Sequence, residues 1–210
     1  MTKLIADMSM SLDGKIADPD DDATMLFDWF FGGDTEIGPF RVSGDSAKLL
    51  TEAFESIGAL IGCRRYFDLA EGWGGAHPMG VPVYILTHEP PADWPADSTI
   101  RFVTDGLESA VAQATEAAGG KDIGVASPSL VRQTLDAGVL DELQINVVPL
   151  VMGEGRPYFD GIDRHVQLEG PEVIEGTGVT HLRYRVAKGG VERDAETTQR
   201  ARETAQAGRS

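Results

Sequence analysis

Residues 11–17 read SLDGKIA, and they follow directly on the apolar run LIADMSM of residues 4–10. That run has the length and composition of a buried strand, so the Asp13–Gly14 pair stands where the strand ends. Such a pair serves either as a tight hairpin turn or as a point where backbone comes close to something else. An immediate return strand would favour the hairpin. Instead, residues 18–45, DPDDDATMLFDWFFGGDTEIGPFRVSGD, form a long segment rich in acids and glycines, with the aromatics Phe27, Trp29, Phe30 and Phe31 clustered in it. A stretch of that length between regular elements marks a lid or binding loop. Its aromatics either build a satellite core beneath the loop or present a stacking wall to a flat ligand.

Beyond this segment the chain alternates between helical and strand patterns. Ser43 or Ser46 is placed to cap a helix that carries Leu50, Phe54 and Ile57 on one face. GALIGCR (58–64) suits a central strand, GWGGAHPMG (72–80) is a glycine-rich loop, and VPVYILTH (81–88) is the next strand, followed by the connector EPPADWP (89–95). IRFVTD (100–105) feeds a helix over Leu107–Ala118, with Ala110, Val111 and Ala114 inward and Gly119–Gly120 as its stop. DIGVAS (122–127) runs straight into PSLVRQTLDAG (128–138), a helix opened by Pro128 and ended by Gly138. DELQINVVPLVMG (141–153) is strand again, and residues 166–187 supply a closing antiparallel pair that turns near Gly178. Strands alternating with helices and ending in antiparallel strands define an α/β three-layer domain with a mixed sheet over residues 1–188. Residues 189–210 form a polar tail, frayed or helical.

Composition limits the partners. The chain of 210 residues carries 34 acidic and 18 basic residues, a formal charge of −16. It lacks the Lys and Arg clusters that nucleic acid or an anionic membrane surface requires, so neither is expected as a partner. An anionic ligand then needs a local basic pocket or a helix N-terminus. The single cysteine, Cys63, leaves no internal disulfide and no multi-cysteine zinc site, and the four histidines stand far apart, so no metal is expected. No apolar run approaches the roughly 20 residues that span a bilayer, and the reading is a soluble cytoplasmic protein. G-x-G-x-x-G after a strand, the P-loop and the G-x-S-x-G elbow are all missing.

Four stretches, taken together and in order, resemble the dihydrofolate-reductase-like superfamily: SLDGKIA, CRRYFD (63–68), the GWGG…HPMGVPVYILTH segment and AGVLDELQINVVPLVMGEGRPYF (137–159). The resemblance is strongest to the branch of the riboflavin-biosynthesis reductase domain and its stand-alone relatives. It covers most of residues 3–187 and implies a three-layer fold and NADPH, bound without a Rossmann fingerprint. It also implies that SLDGKIA ends the first strand beside the nicotinamide, with Gly14 letting the chain turn close to the ring.

By that resemblance Ala6, Gly14, Cys63, Arg64, Arg65, Tyr66, Thr87, His88, Ala126, Ser127, Ser129 and Leu130 would contact the cofactor. Arg64 and Arg65 follow a strand, where guanidinium forks suit phosphate oxygens. Thr87 and His88 lie where the family contacts the 2′-phosphate. The junction Ala126-Ser127-Pro128-Ser129 offers backbone N–H groups and a helix dipole to the pyrophosphate. Two departures stand out. Cys63 occupies the place of a family glycine, and Ser127–Pro128 replaces a Gly-Gly pair that is often cis, so this X-Pro bond is expected to be cis.

Asp13, Lys15 and Asp34 are the candidate catalytic groups, and Asp28, Trp29 and Phe30 the candidate substrate contacts. The function implied is hydride transfer to a small heterocycle of pyrimidinone or pterin type. The alternative is a non-catalytic nucleotide- or ligand-binding protein on the same fold. A homodimer is common in the branch, and the apolar strand from Leu143 to Met152 suits either an interface or the core.

Overall fold

In the computed structural model, which describes residues 2–95, 97–162 and 164–188, the opening apolar run forms β1 (Leu4–Ser11). Then follow β2 (Lys15–Ala17), β3 (Thr35–Ile37), β4 (Phe40–Val42), α1 (Gly44–Ser56), β5 (Ile57–Cys63), α2 (Arg64–Leu69), β6 (Val83–Leu86), β7 (Ile100–Val103) and α3 (Leu107–Ala118). The chain continues with β8 (Asp122–Val125), α4 (Pro128–Asp136), β9 (Glu142–Val148), β10 (Arg156–Pro157), β11 (Leu168–Gly176) and β12 (Val179–Val186). The expected C-terminal tail lies outside the described residues.

Eight strands form one mixed sheet in the order β11-β12-β9-β1-β8-β5-β6-β7. The strands from β9 to β7 run parallel, and β12 and β11 add an antiparallel edge. Strand alternation divides the side chains between the two faces. Leu4 and Ala6 of β1, Ala59 and Ile61 of β5, Ile123 and Val125 of β8, and Leu143 and Ile145 of β9 join one large core with α3 and α4. Strand β9 lies inside the sheet between β1 and β12, so burial in the core accounts for its apolar residues.

The opposite face carries two separate clusters. Leu26, Trp29, Val42, Ala47, Leu50, Val148 and Val179 pack together under the lid segment and α1. Ile57, Leu60, Phe67, Val83, Ile85 and Ile100 pack under α2 and the glycine-rich loop. Ile5 of β1 packs against the second cluster, and Asp7 and Ser9 share its face of the strand. A cleft over the C-terminal half of β1 therefore separates the two clusters.

Two local expectations change. Ser43 does take the N-cap position of α1, but its hydroxyl bonds Ser46 Oγ at 3.0 Å instead of a backbone N–H, because Ser46 is itself part of a buried polar chain. Ser127–Pro128 is trans; the one cis peptide among the described residues is Gly170–Pro171. Pro128 occupies the first helical position of α4, where a ring-fixed φ costs nothing, and the preceding Ser127 is extended (φ −168°, ψ 145°), the region to which a following proline drives a residue.

Candidate active site

At the end of β1, Gly14 N–H bonds the Ser11 carbonyl at 3.0 Å, and φ +82° at Gly14 closes the turn. The strand that follows, β2, pairs with β10 and not with β1. Asp13 holds this arrangement. Its carboxylate accepts the Ser11 hydroxyl at 2.7 Å and the N–H groups of Met152 and Gly153 at 3.0 and 2.7 Å. Backbone donation from Met152 and then the Ser11 hydroxyl lower its pKa to about 2. A carboxylate so held stays ionised near neutral pH, and it anchors the loop after β9.

The titratable group on the cleft floor is Asp7, which the sequence reading passed over. Its Oδ1 accepts from Asn146 Nδ2 at 2.6 Å and its Oδ2 from Gln144 Nε2 at 2.7 Å. The side chain is exposed on the cleft floor, with protein atoms close around it. Loss of bulk hydration raises its pKa to about 6, against the opposing pull of the Asn146 hydrogen bond and the Arg183 charge.

Behind Asp7 runs a directed chain. Asn146 gives its N–H to Asp7, so its Oδ1, 2.7 Å from His181 Nδ1, accepts from that ring nitrogen. His181 is fully buried, and burial followed by the Arg183 charge lowers its pKa to about 4. The neutral ring therefore carries its proton on Nδ1, and Nε2 accepts the Ser46 hydroxyl at 2.8 Å. Ser43 donates in turn to Ser46. Every donor from Ser43 to Asn146 thus points towards Asp7, and bonds aligned in this way reinforce one another. Gly176 makes room for the chain, since a Cβ there would lie 2.3 Å from Ser46 Oγ.

Trp29 closes one side of the cleft. It is 4% exposed, donates Nε1–H to Ser9 Oγ at 3.0 Å, meets His181 edge-on at 5.0 Å and stacks on Phe30 at 3.9 Å between centroids. The lid aromatics therefore build a satellite core, with Phe27 and Phe31 left exposed. Asp28 and Asp34 stand exposed in the lid, and Asp34 accepts the neighbouring Thr35 hydroxyl. Lys15 lies on β2, where its N–H bonds Ser11 Oγ.

Tyr66 closes the other side. Its ring packs on Gly62, where a Cβ would lie 2.9 Å from the ring. That packing explains why the glycine stands at 62, one place before Cys63. His77 accepts the Met79 N–H at Nδ1, and burial lowers its pKa to about 4. Its proton therefore sits on Nε2 and is donated to the Tyr66 oxygen at 3.3 Å, which leaves the Tyr66 O–H free to donate elsewhere. Burial, with the Asp7 charge adding to it, raises the Tyr66 pKa, so the phenol stays protonated.

Most of the remaining expected cofactor residues lie at the C-terminal ends of the parallel strands. Arg64 reaches Asp68 at 2.7 Å and the Glu89 carbonyl at 2.7 Å, and Thr87 exchanges hydrogen bonds with the Glu89 backbone. His88 is exposed beside them. Ala6, in the middle of β1, and Leu130 of α4 are instead buried in the large core. The cradle at α4 has fewer donors than expected: Ala126 N–H bonds Ile61, Leu130 N–H bonds the Ser127 carbonyl, and Pro128 has none. Ser127 Oγ, in contrast, is buried without a hydrogen-bond partner at the start of this helix, and Ser129 beside it is exposed. An orphaned hydroxyl at the N-terminus of α4 suits the phosphate-bearing part of a dinucleotide, so the residues present fit NADPH.

The parallel sheet with its antiparallel edge, cleft and strand-end cluster defines a dihydrofolate-reductase-like α/β domain. Among solved structures, a Shewanella sp. PV-4 protein described under riboflavin biosynthesis superposes with a TM-score of 0.68 at 20% identity, over 89% of this chain and 99% of its own. Dihydrofolate reductase from Enterococcus faecalis, solved with NADP(H), gives 0.54 at 18% identity over 88% and 96%. The uncharacterized protein YwjB of Bacillus subtilis is 24% identical over 166 residues, 79% of this chain and 87% of its own. Residues 78–181 match the family described as the RibD C-terminal domain. The chain is thus similar to that family over about half its length, and it has the dihydrofolate-reductase-like fold. Among the described residues no helix is long and apolar enough to cross a membrane, and no group of His, Cys, Asp and Glu is arranged to hold a metal ion.

Proposed function

We propose that the protein is an NADPH-dependent oxidoreductase that reduces a small heterocycle of pyrimidinone or pterin type. The observation that carries this reading is Asp7, a carboxyl raised to about 6 on the floor of a cleft whose rim holds a fitting cofactor cradle. NADPH, when bound, supplies the hydride. The protein must then position the ring, exclude water and provide one proton to the heteroatom of the bond reduced. Arg64, Arg65, Thr87, Ser127 and Ser129 would hold the cofactor.

Asp7 stores the proton. Each of its oxygens already accepts one amide N–H, so its remaining lone pairs, or its own O–H when protonated, face the ligand. A group that titrates near 6 both holds a proton and releases it near neutral pH. The free Tyr66 O–H supplies a second donor from the opposite wall, and the Trp29–Phe30 stack walls the cleft on its far side.

Titration with NADPH and, separately, NADH, followed by tryptophan fluorescence, tests the cofactor half of this reading. Micromolar NADPH binding with clear preference over NADH is expected. Failure to bind either would leave the fold and remove the reductase.

A further inference from the structure

We propose that Glu52 of α1 is a positioning residue for Asp7: it holds the Arg183 guanidinium away from that carboxyl and so leaves Asp7 able to take up a proton. The placement follows from strand register. Glu172 of β11, Arg183 of β12, Gln144 of β9 and Asp7 of β1 are successive partners across the sheet, so their side chains form one row on one face. Neighbouring strands lie about 4.8 Å apart, which puts Arg183 about 10 Å from Asp7, two strands away and within the reach of an extended arginine.

The guanidinium is turned the other way. Arg183 Nη1 and Nη2 donate to the two carboxylate oxygens of Glu52 at 3.2 and 3.0 Å, and Glu172 Oε2 lies 3.7 Å from Nη1. A bidentate fork of this kind is the geometry in which a partly exposed ion pair does hold its partners. Gln144 fills the gap: it is 5% exposed and gives its Nε2–H to Asp7 Oδ2 at 2.7 Å. Asp7 therefore receives a neutral amide where a direct guanidinium would lock it as a carboxylate. Helix α1 thus acts on Asp7 twice. Ser46 starts the neutral chain through His181 and Asn146 to Oδ1, and Glu52 acts through Arg183 on the side of Oδ2.

The titratable groups around Asp7 are Tyr66 of α2, His77 of the glycine-rich loop, Cys63 at the end of β5, Tyr158 after β10, and His181 and Arg183 of β12. Burial keeps both phenols protonated and both imidazoles neutral near neutral pH. Glu142, further along β9, is taken up by Lys3 at 2.7 Å. The charge that acts on Asp7 is that of Arg183, and it favours the carboxylate. Where Glu52 holds that charge therefore sets how readily Asp7 is protonated. The inference rests on the reductase reading in taking Asp7 as the acid of the reaction, but its test needs no turnover.

The test follows the Asp7 carboxyl by 13C NMR across a pH titration of protein labelled at the aspartate carboxyl carbons, its resonance identified by its loss in Asp7→Asn. The Glu52 side chain is 60% exposed, so Glu52→Gln should keep the wild-type circular dichroism. Glu52→Gln should lower the proton affinity of Asp7 about threefold to tenfold, because the freed guanidinium swings towards it. Arg183→Met should raise it by a similar factor, and Glu52→Gln/Arg183→Met should match Arg183→Met, because Glu52 acts through Arg183. A purely structural role would weaken resistance to urea and leave the titration midpoint where it is. Unchanged or higher proton affinity in a folded Glu52→Gln protein overturns the proposal, and so does a double variant in which the Glu52 effect persists. The expected shifts in a protein that oxidises no NADPH with any pyrimidinone or pterin uphold the positioning role and remove the reductase reading instead.

Discussion

His181 makes stability depend on pH in a calculable way. The residue is fully buried, and its pKa falls from 6.5 to about 4 on folding. In the unfolded chain it binds a proton below about 6.5, while the folded protein refuses that proton until about pH 4. Stability from this residue is therefore complete above pH 6.5 and is lost as the pH falls towards 4. At pH 5 the loss amounts to about 2 kcal/mol relative to pH 7.5. Asp7 works in the opposite direction, since a carboxyl raised to about 6 takes up its proton more readily when folded, and His77 works in the same direction as His181. A difference between two proteins that share both groups isolates the His181 contribution. His181→Gln keeps an amide able to accept from Ser46 but does not titrate. Urea unfolding of both proteins, followed by tryptophan fluorescence at pH 7.5 and 5.0, should show the stability advantage of the wild type shrinking by about 2 kcal/mol at the lower pH. An advantage that is the same at both values would mean that His181 is not held neutral, and the directed chain towards Asp7 would lose its basis.

Two packing predictions follow from the same face of the sheet. Gly62→Ala places a methyl 2.9 Å from the Tyr66 ring and 3.1 Å from Ile85, and should cost about 1–3 kcal/mol in chemical denaturation. It should also shift Tyr66 away from His77, which an altered histidine resonance in a pH titration would report. Leu26→Ala removes a side chain that is 0% exposed from the cluster beneath the lid, and should cost about 2–5 kcal/mol in the same assay.

Much of the fold was legible because periodicity follows burial. The helix over Leu107–Ala118 and the one opened by Pro128 appear where the apolar spacing and the Gly and Pro signals put them. The strand after the glycine-rich loop is shorter than its apolar run, Val83–Leu86 instead of residues 81–88, because the register with β5 ends at Leu86. The stretches quoted for the resemblance include the C-terminal ends of the parallel strands β1, β5, β6 and β9.

The cleft floor was harder to see. Asp7 sits inside an apolar run and resembles a surface acid on an alternating strand, and its partners Gln144 and Asn146 lie on β9, more than 130 residues away. Polar residues at alternate positions of β9, aligned with the acid of β1, were the available signal, and only the parallel register brings them together. Asp13 illustrates the converse. Its motif drew attention to a carboxylate whose acceptors are already taken by the loop after β9.

The most direct measurement is the pH dependence of kcat/KM for NADPH oxidation with the first pyrimidinone or pterin the protein reduces, in the wild type and in Asp7→Asn. The wild-type rate should fall as the pH rises through about 6, where Asp7 gives up its proton. The variant should lose that limb and about 100-fold or more in rate. An Asp7→Asn protein that keeps both the rate and the limb would show that the proton comes from elsewhere.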